Sequence, residues 1–174
     1  RMHLTFLLLI AWIAAVQYMR GSAQDAVYGV TFILVLFVCV VLHEFGHIYA
    51  ARRYGIRTPD VTLLPIGGVA SMERMPEKPG QEILVAIAGP AVNVAIIAVL
   101  IPIIIAMRGM PAMADPMSFY GDFLVELVFI NAFLVAFNMI PAFPMDGGRV
   151  LRAFLSIFIG RVDATRAAAI VGQI

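Results

Sequence analysis

Cysteine is almost absent from this sequence. The one thiol, Cys39, sits inside an apolar run, so no internal disulfide staples the fold and cysteine usage says little about redox compartment. Charge is scarce as well: Asp, Glu, Lys and Arg make up 13% of 174 residues, against about 25% in soluble domains. The formal net charge of +1 gives no overall basic field for nucleic acid, and no nucleic-acid partner is expected. No internal repeat or low-complexity tract stands out, so one compact domain over residues 1–174 is the simplest organisation.

What the chain has in abundance is apolar side chains, 62% of all residues, with a mean hydropathy of +0.96. Such a composition belongs to membrane proteins. A helix crosses the bilayer core with about 20 mostly apolar residues, and Met2–Met19, Ala26–Ala51, Ile83–Met107 and Leu124–Met145 meet or approach that length. Val150–Ile159 is shorter and interrupted by Arg152, as expected of a partial or tilted span packed on protein. A further span begins near Ala164 and stops with the sequence. The first run exceeds the usual h-region of about 7–15 residues, so it reads as a span rather than a signal peptide, despite the small residues Gly21-Ser22-Ala23. Arg1 and the apolar run 167–174 read as fragment boundaries, with further C-terminal sequence expected. The predicted fold is an all-α polytopic membrane protein: a bundle of about six transmembrane helices, the last truncated, with a small membrane-associated β segment.

Orientation follows from Arg and Lys in short loops. Arg52, Arg53, Arg57, Arg74 and Lys78 follow the second span, and Arg149, Arg152, Arg161 and Arg166 follow the fourth. These two loops are expected in the cytoplasm. The opposite loops carry only Arg20 and Arg108 and hold Asp25, Asp115, Asp122 and Glu126, which suits an outer surface. The β segment is expected between Ile56 and Met72, where Val61, Leu63, Leu64, Ile66 and Val69 mix with Thr58, Thr62, Pro65 and Gly67-Gly68. β-branched residues with Gly and Pro punctuation favour extended chain, and an ordinary amphipathic connector is the alternative.

Chemistry enters with His43-Glu44-Phe45-Gly46-His47. On a helix the i, i+4 spacing stacks both imidazoles on one face, where they can share a metal, with Glu44 beside them as general base. Three such fixed residues arise by chance at a rate on the order of 10⁻⁵ per position, so a fortuitous match is improbable in a chain this short. Two histidines and a glutamate inside a span are costly and mark function by default. A catalytic zinc takes three protein ligands and leaves a fourth position for water. The third must share the depth of His43 and His47, which lie about 8–14 Å of helix before Arg52. Asp146 meets that condition, following the fourth span on its cytoplasmic side. Around it, Pro141, Pro144, Gly147 and Gly148 break helix, and irregular backbone at membrane depth is tolerated where protein or a wet cavity satisfies it. Asp146 would otherwise serve as the N-cap of a helix starting at Gly147, paired with Arg149.

Taken together, His43 to His47, then Ala88-Gly89-Pro90-Ala91-Val92-Asn93, then Asn138 through Arg149 resemble the site-2 protease family of intramembrane zinc metalloproteases, in its prokaryotic form. The likeness covers nearly the whole chain, including Leu64 to Val69 and Arg149 to Ala153. It implies one catalytic Zn²⁺ held by His43, His47 and Asp146, with Glu44 as the catalytic glutamate. Asn138 matches an asparagine that steadies substrate or oxyanion, and Gly67 and Gly68 match a glycine pair on a substrate-facing extended segment. Asn93 fits the GPxxN pattern, with helix packing and function equally open. The implied substrate is a membrane-anchored protein such as an anti-sigma factor or a regulator precursor, cut within a prokaryotic plasma membrane near its cytoplasmic face. A metal or ion transporter and a catalytically inactive membrane scaffold are the competing functions.

Overall fold

The structure, a computed structural model, describes residues 4–56, 60–64, 67–71, 76, 78–108 and 122–172. These form the helices α1 (Leu4–Arg20), α2 (Ala23–Arg53), α3 (Pro79–Arg108), α4 (Phe123–Asn138), α5 (Asp146–Ile159) and α6 (Arg161–Val171). The strands β1 (Asp60–Leu64) and β2 (Gly67–Ser71) pair antiparallel between α2 and α3, with Leu64 opposite Gly67 and Asp60 opposite Ser71. Arg57, Pro65, Ile66, Arg74 and Asp115, named above for orientation and for the extended segment, lie outside the described residues.

Two helices, α2 and α3, are long and apolar enough to cross a membrane. At 31 residues, α2 measures about 46 Å, longer than a hydrocarbon core of about 30 Å. It starts from a capping box, in which the Ser22 hydroxyl accepts from Asp25 N at 3.3 Å and Ser22 N donates to the Asp25 carboxylate at 2.7 Å. Its end is a Schellman turn. Gly55 takes φ +71°, a left-handed conformation that only glycine adopts cheaply. The N–H groups of Gly55 and Ile56 then return to the carbonyls of Arg52 and Ala51. Ile56 folds back onto Ala51 and meets Val85 of α3 in a buried apolar cluster.

The fourth apolar stretch does not run helical to Met145 as its hydropathy predicts. α4 ends at Asn138, and residues 139–145 are irregular. Pro141 and Pro144 lack the N–H a helix needs and disfavour helix in the residue before them, so composition carries the apolar signal seven residues past the last turn. α5 correspondingly begins at Asp146, ahead of the expected Val150. Its N-cap is Met145, without a side-chain cap hydrogen bond, so Asp146 is not the cap.

Polarity runs inside out. Trp12, Phe45, Val99, Phe133 and Phe158 face outward, each more than half exposed, while Asn93 and Asn131 are wholly buried and His43, His47 and Asp146 nearly so. In water that arrangement would expose a large apolar surface; in lipid it places polar groups where only a protein partner can satisfy them. α3 is the hub, packing against α2, α4 and α5. α4 is tied to α2 near the other end, where the Tyr28 hydroxyl donates to Glu126 at 2.9 Å and both Tyr28 and Phe32 meet the Phe123 ring edge to face. A cavity of about 470 Å³ opens there, lined by Ala23, Gln24, Val27, Tyr28, Thr31 and Phe123; no candidate site residue lines it.

Candidate metal centre

His43 and His47 sit one turn apart on α2, and the first residue of α5 brings Asp146 to them. His43 Nε2 lies 3.1 Å from His47 Nε2, and Asp146 Oδ2 lies 3.2 Å from the first and 3.0 Å from the second. Three donor atoms therefore form a nearly equilateral triangle. Among the described residues this is the one group of three or more His, Cys, Asp or Glu side chains able to hold a metal ion.

Hydrogen bonds on the far side of each ring decide what these atoms offer. His47 Nδ1 lies 2.7 Å from the Val85 carbonyl oxygen, which can only accept, so Nδ1 carries the proton. His43 Nδ1 lies 2.7 Å from Asn93 Oδ1. With Nδ1 protonated on both rings, each neutral imidazole turns an Nε2 lone pair toward the carboxylate. Three lone-pair donors facing one another at 3.0–3.2 Å repel unless a cation, a proton or a metal ion, lies among them. The donor set fits zinc, for which tetrahedral bonds of about 2.0–2.1 Å put ligand atoms roughly 3.3 Å apart. Asp146 Oδ1, the other carboxylate oxygen, is 3.5 Å from the Arg149 guanidinium, which leaves Oδ2 to the histidines.

Space for an ion comes from Gly89. It packs α3 so closely on the cluster that a Cβ there would overlap the His47 imidazole and stand 2.7 Å from His43 Nε2. One turn on, Asn93 reaches His43. Asn93, which the sequence left between packing and function, thus contacts His43 directly, and Gly89 lies against both histidines. Asn131 of α4 completes the polar interior by accepting from Asn93 Nδ2 at 2.9 Å. The one mark of Asn131 in the sequence is a lone amide in the middle of an apolar span, and it was not among the residues singled out there.

The loop carrying Asp146 is held from below. Arg152 of α5 donates through Nε at 2.7 Å, and also through its terminal guanidinium nitrogen, to Glu82 in the first turn of α3, with Arg161 4.0 Å away. The same guanidinium lies 5.5 Å from the centre of the Phe143 ring. Glu44 follows His43 on α2 and is half-buried. Asn138 is the last residue of α4, where its amide donates to the Leu134 carbonyl at 2.9 Å. Gly67 and Gly68 open β2 at the hairpin's turn, and β2 lies against α2.

Fold and donor set together describe a membrane protein with a buried group of two histidines and one carboxylate able to hold a metal ion. The chain belongs to peptidase family M50, whose family model matches residues 31–120 and 112–174. It is 39% identical over 172 residues to a zinc metalloprotease of Methanocaldococcus jannaschii, covering 99% of this chain and 47% of that protein. With stage IV sporulation protein FB of Bacillus subtilis it shares 31% identity over 121 residues, 68% of this chain and 38% of the relative. The chain thus spans less than half the length of these curated relatives. Its fold is similar to the solved site-2 protease from Methanocaldococcus jannaschii, with a TM-score of 0.67 and 37% identity over 99% of this chain and 74% of that one.

Proposed function

We propose that this chain is the core of an intramembrane zinc endopeptidase that hydrolyses a peptide bond in or near a transmembrane segment of a membrane-anchored regulatory protein. The observation that carries the reading is the convergence of three candidate donors at 3.0–3.2 Å, two of them on the helix that also bears Glu44. His43, His47 and Asp146 would hold the metal. Bound zinc supplies Lewis acidity and brings the pKa of water to about 7. Glu44 accepts a proton from the attacking water and returns it to the leaving amine. Asn138 uses one amide hydrogen on Leu134 and has a second to offer a developing oxyanion.

A transmembrane helix hides its peptide bonds in its own hydrogen-bond ladder, so the substrate unwinds before cleavage. β2 supplies a partner for the unwound stretch: it pairs with β1 on one side in a two-stranded sheet, and main-chain pairing along a free edge gives affinity without strict sequence demands. Gly67 and Gly68 on that strand let backbone approach backbone. In this reading α1 and α4, shorter apolar helices, cross the membrane with α2 and α3, and α5 and α6 complete a bundle of about six. Arg52, Arg53 and Lys78, together with Arg149, Arg152, Arg161 and Arg166, mark the cytoplasmic side, with the metal centre a few turns below it.

The test is zinc content together with cleavage of a reconstituted transmembrane substrate. Glu44→Gln is expected to keep zinc and lose cleavage by roughly 10²–10⁴-fold; unimpaired cleavage refutes the assignment.

A further inference from the structure

The polar interior continues beyond the metal ligands in one direction. Asn131 Nδ2 donates to the Leu127 carbonyl one turn back in α4, at 2.8 Å, and also faces Cys39 Sγ at 3.6 Å. A carbonyl accepts only, which fixes the orientation of this amide: its Oδ1 must point at Asn93. Asn93 Nδ2 donates to that oxygen at 2.9 Å, which fixes the second amide in turn and presents its Oδ1 to His43 Nδ1 at 2.7 Å. Both asparagines are wholly buried, beyond the reach of bulk water as a substitute partner. A buried amide costs free energy unless it is hydrogen-bonded. Here every step of the chain is donor to acceptor, running from His43 on α2 through Asn93 on α3 to Asn131 and the backbone of α4.

We propose that Asn93 and Asn131 form a tautomer lock: the amide pair, oriented by the Leu127 carbonyl, holds the His43 proton on Nδ1 and its ring in place, so that the Nε2 lone pair is ready for the metal. The proposal rests on the reading of His43 as a ligand. The two are positioning residues and touch neither substrate nor metal. Without Asn131 the Asn93 amide can turn over. Its NH₂ would then face His43 Nδ1, forcing the proton to Nε2 and into the centre. His47 has no such dependence, because its orienting acceptor is a main-chain carbonyl that no side-chain substitution removes.

Zinc affinity measured by chelator competition on the purified full chain in lipid nanodiscs tests the lock. Removing an orienting partner of this kind costs about 10–100-fold in metal affinity, and Asn93→Leu is expected to fall in that range. Asn131→Leu is expected to show a smaller loss. Asn93→Asp, whose buried carboxyl in its protonated form donates to Asn131 Oδ1 and keeps an acceptor toward Nδ1, is expected to restore affinity relative to Asn93→Leu. Nitrogen-15 NMR of histidine-labelled, metal-stripped wild type gives a reading independent of any variant's folding: the His43 proton is expected on Nδ1, shifting to a mixture in Asn131→Leu. Wild-type zinc affinity in Asn93→Leu, or a wild-type His43 protonated on Nε2, overturns the lock. His47→Ala separates the two readings. If it leaves zinc affinity unchanged, the metal centre itself is refuted; if it abolishes binding while Asn93→Leu does not, only the lock falls.

Discussion

Gly89→Ala puts the packing of the metal centre to a quantitative test. In an ordinary helix this change stabilises, by about 0.5–1 kcal/mol, because alanine has less conformational freedom to lose. Here the new methyl would overlap the His47 ring and stand 2.7 Å from His43 Nε2, where ordinary contact begins at 3.4 Å. The ligands or α3 must therefore yield by at least about 0.7 Å. α3 cannot easily retreat alone, since Gly46 of α2 is packed on the Ala88 carbonyl so tightly that a Cβ there would lie 2.5 Å from the oxygen. Overpacking of this kind costs about 1–3 kcal/mol, which the helix gain partly offsets, so the net loss of stability should be about 0–2.5 kcal/mol. Metal sites tolerate only about 0.2 Å in ligand distance. Zinc affinity is accordingly expected to fall more than about 100-fold, or roughly 2.7 kcal/mol, with the helical circular dichroism intact. Gly80→Ala, at a position with nothing within 4 Å, is the matched control and should leave zinc unchanged. Gly89→Ala with wild-type zinc affinity would refute the argument that Gly89 makes the space.

Arg152→Ala leaves Glu82, only 4% exposed, without its main partner. Breaking a buried pair costs about 3–5 kcal/mol, and Arg161 at 4.0 Å should hold the loss to the lower part of that range in reversible unfolding in detergent; a loss below about 1 kcal/mol would count against a structural role. Val69→Pro removes a main-chain N–H from β2. It should impair substrate cleavage while leaving zinc content at the wild-type level, and undiminished cleavage would contradict strand addition.

The parts of this protein that were legible in the sequence are those written in short-range spacing. The i, i+4 histidines need nothing beyond one helical turn to converge. Asp146 could be matched to them because the bilayer gives residues 99 and 103 positions apart a common depth scale. Hydropathy failed at residues 139–145, since Met139, Ile140, Ala142, Phe143 and Met145 are as apolar as a span while Pro141 and Pro144 forbid the helix. Asn131 went unnamed and the role of Asn93 stayed open for a different reason: each finds its partner across a helix interface 38 or more residues away, and no local pattern encodes that meeting. Nothing local marks Gly89 either, because what it packs against, the His43 and His47 rings, comes from another helix.

Val85 belongs to two assemblies at once. Its side chain closes the apolar cluster with Ala51 and Ile56, where the chain leaves α2 for the hairpin, and its carbonyl oxygen orients His47. The root of the hairpin and one metal ligand are therefore fastened to the same residue of α3. Displacing Ile56 from its seat would therefore disturb the same residue whose carbonyl accepts the hydrogen bond of His47.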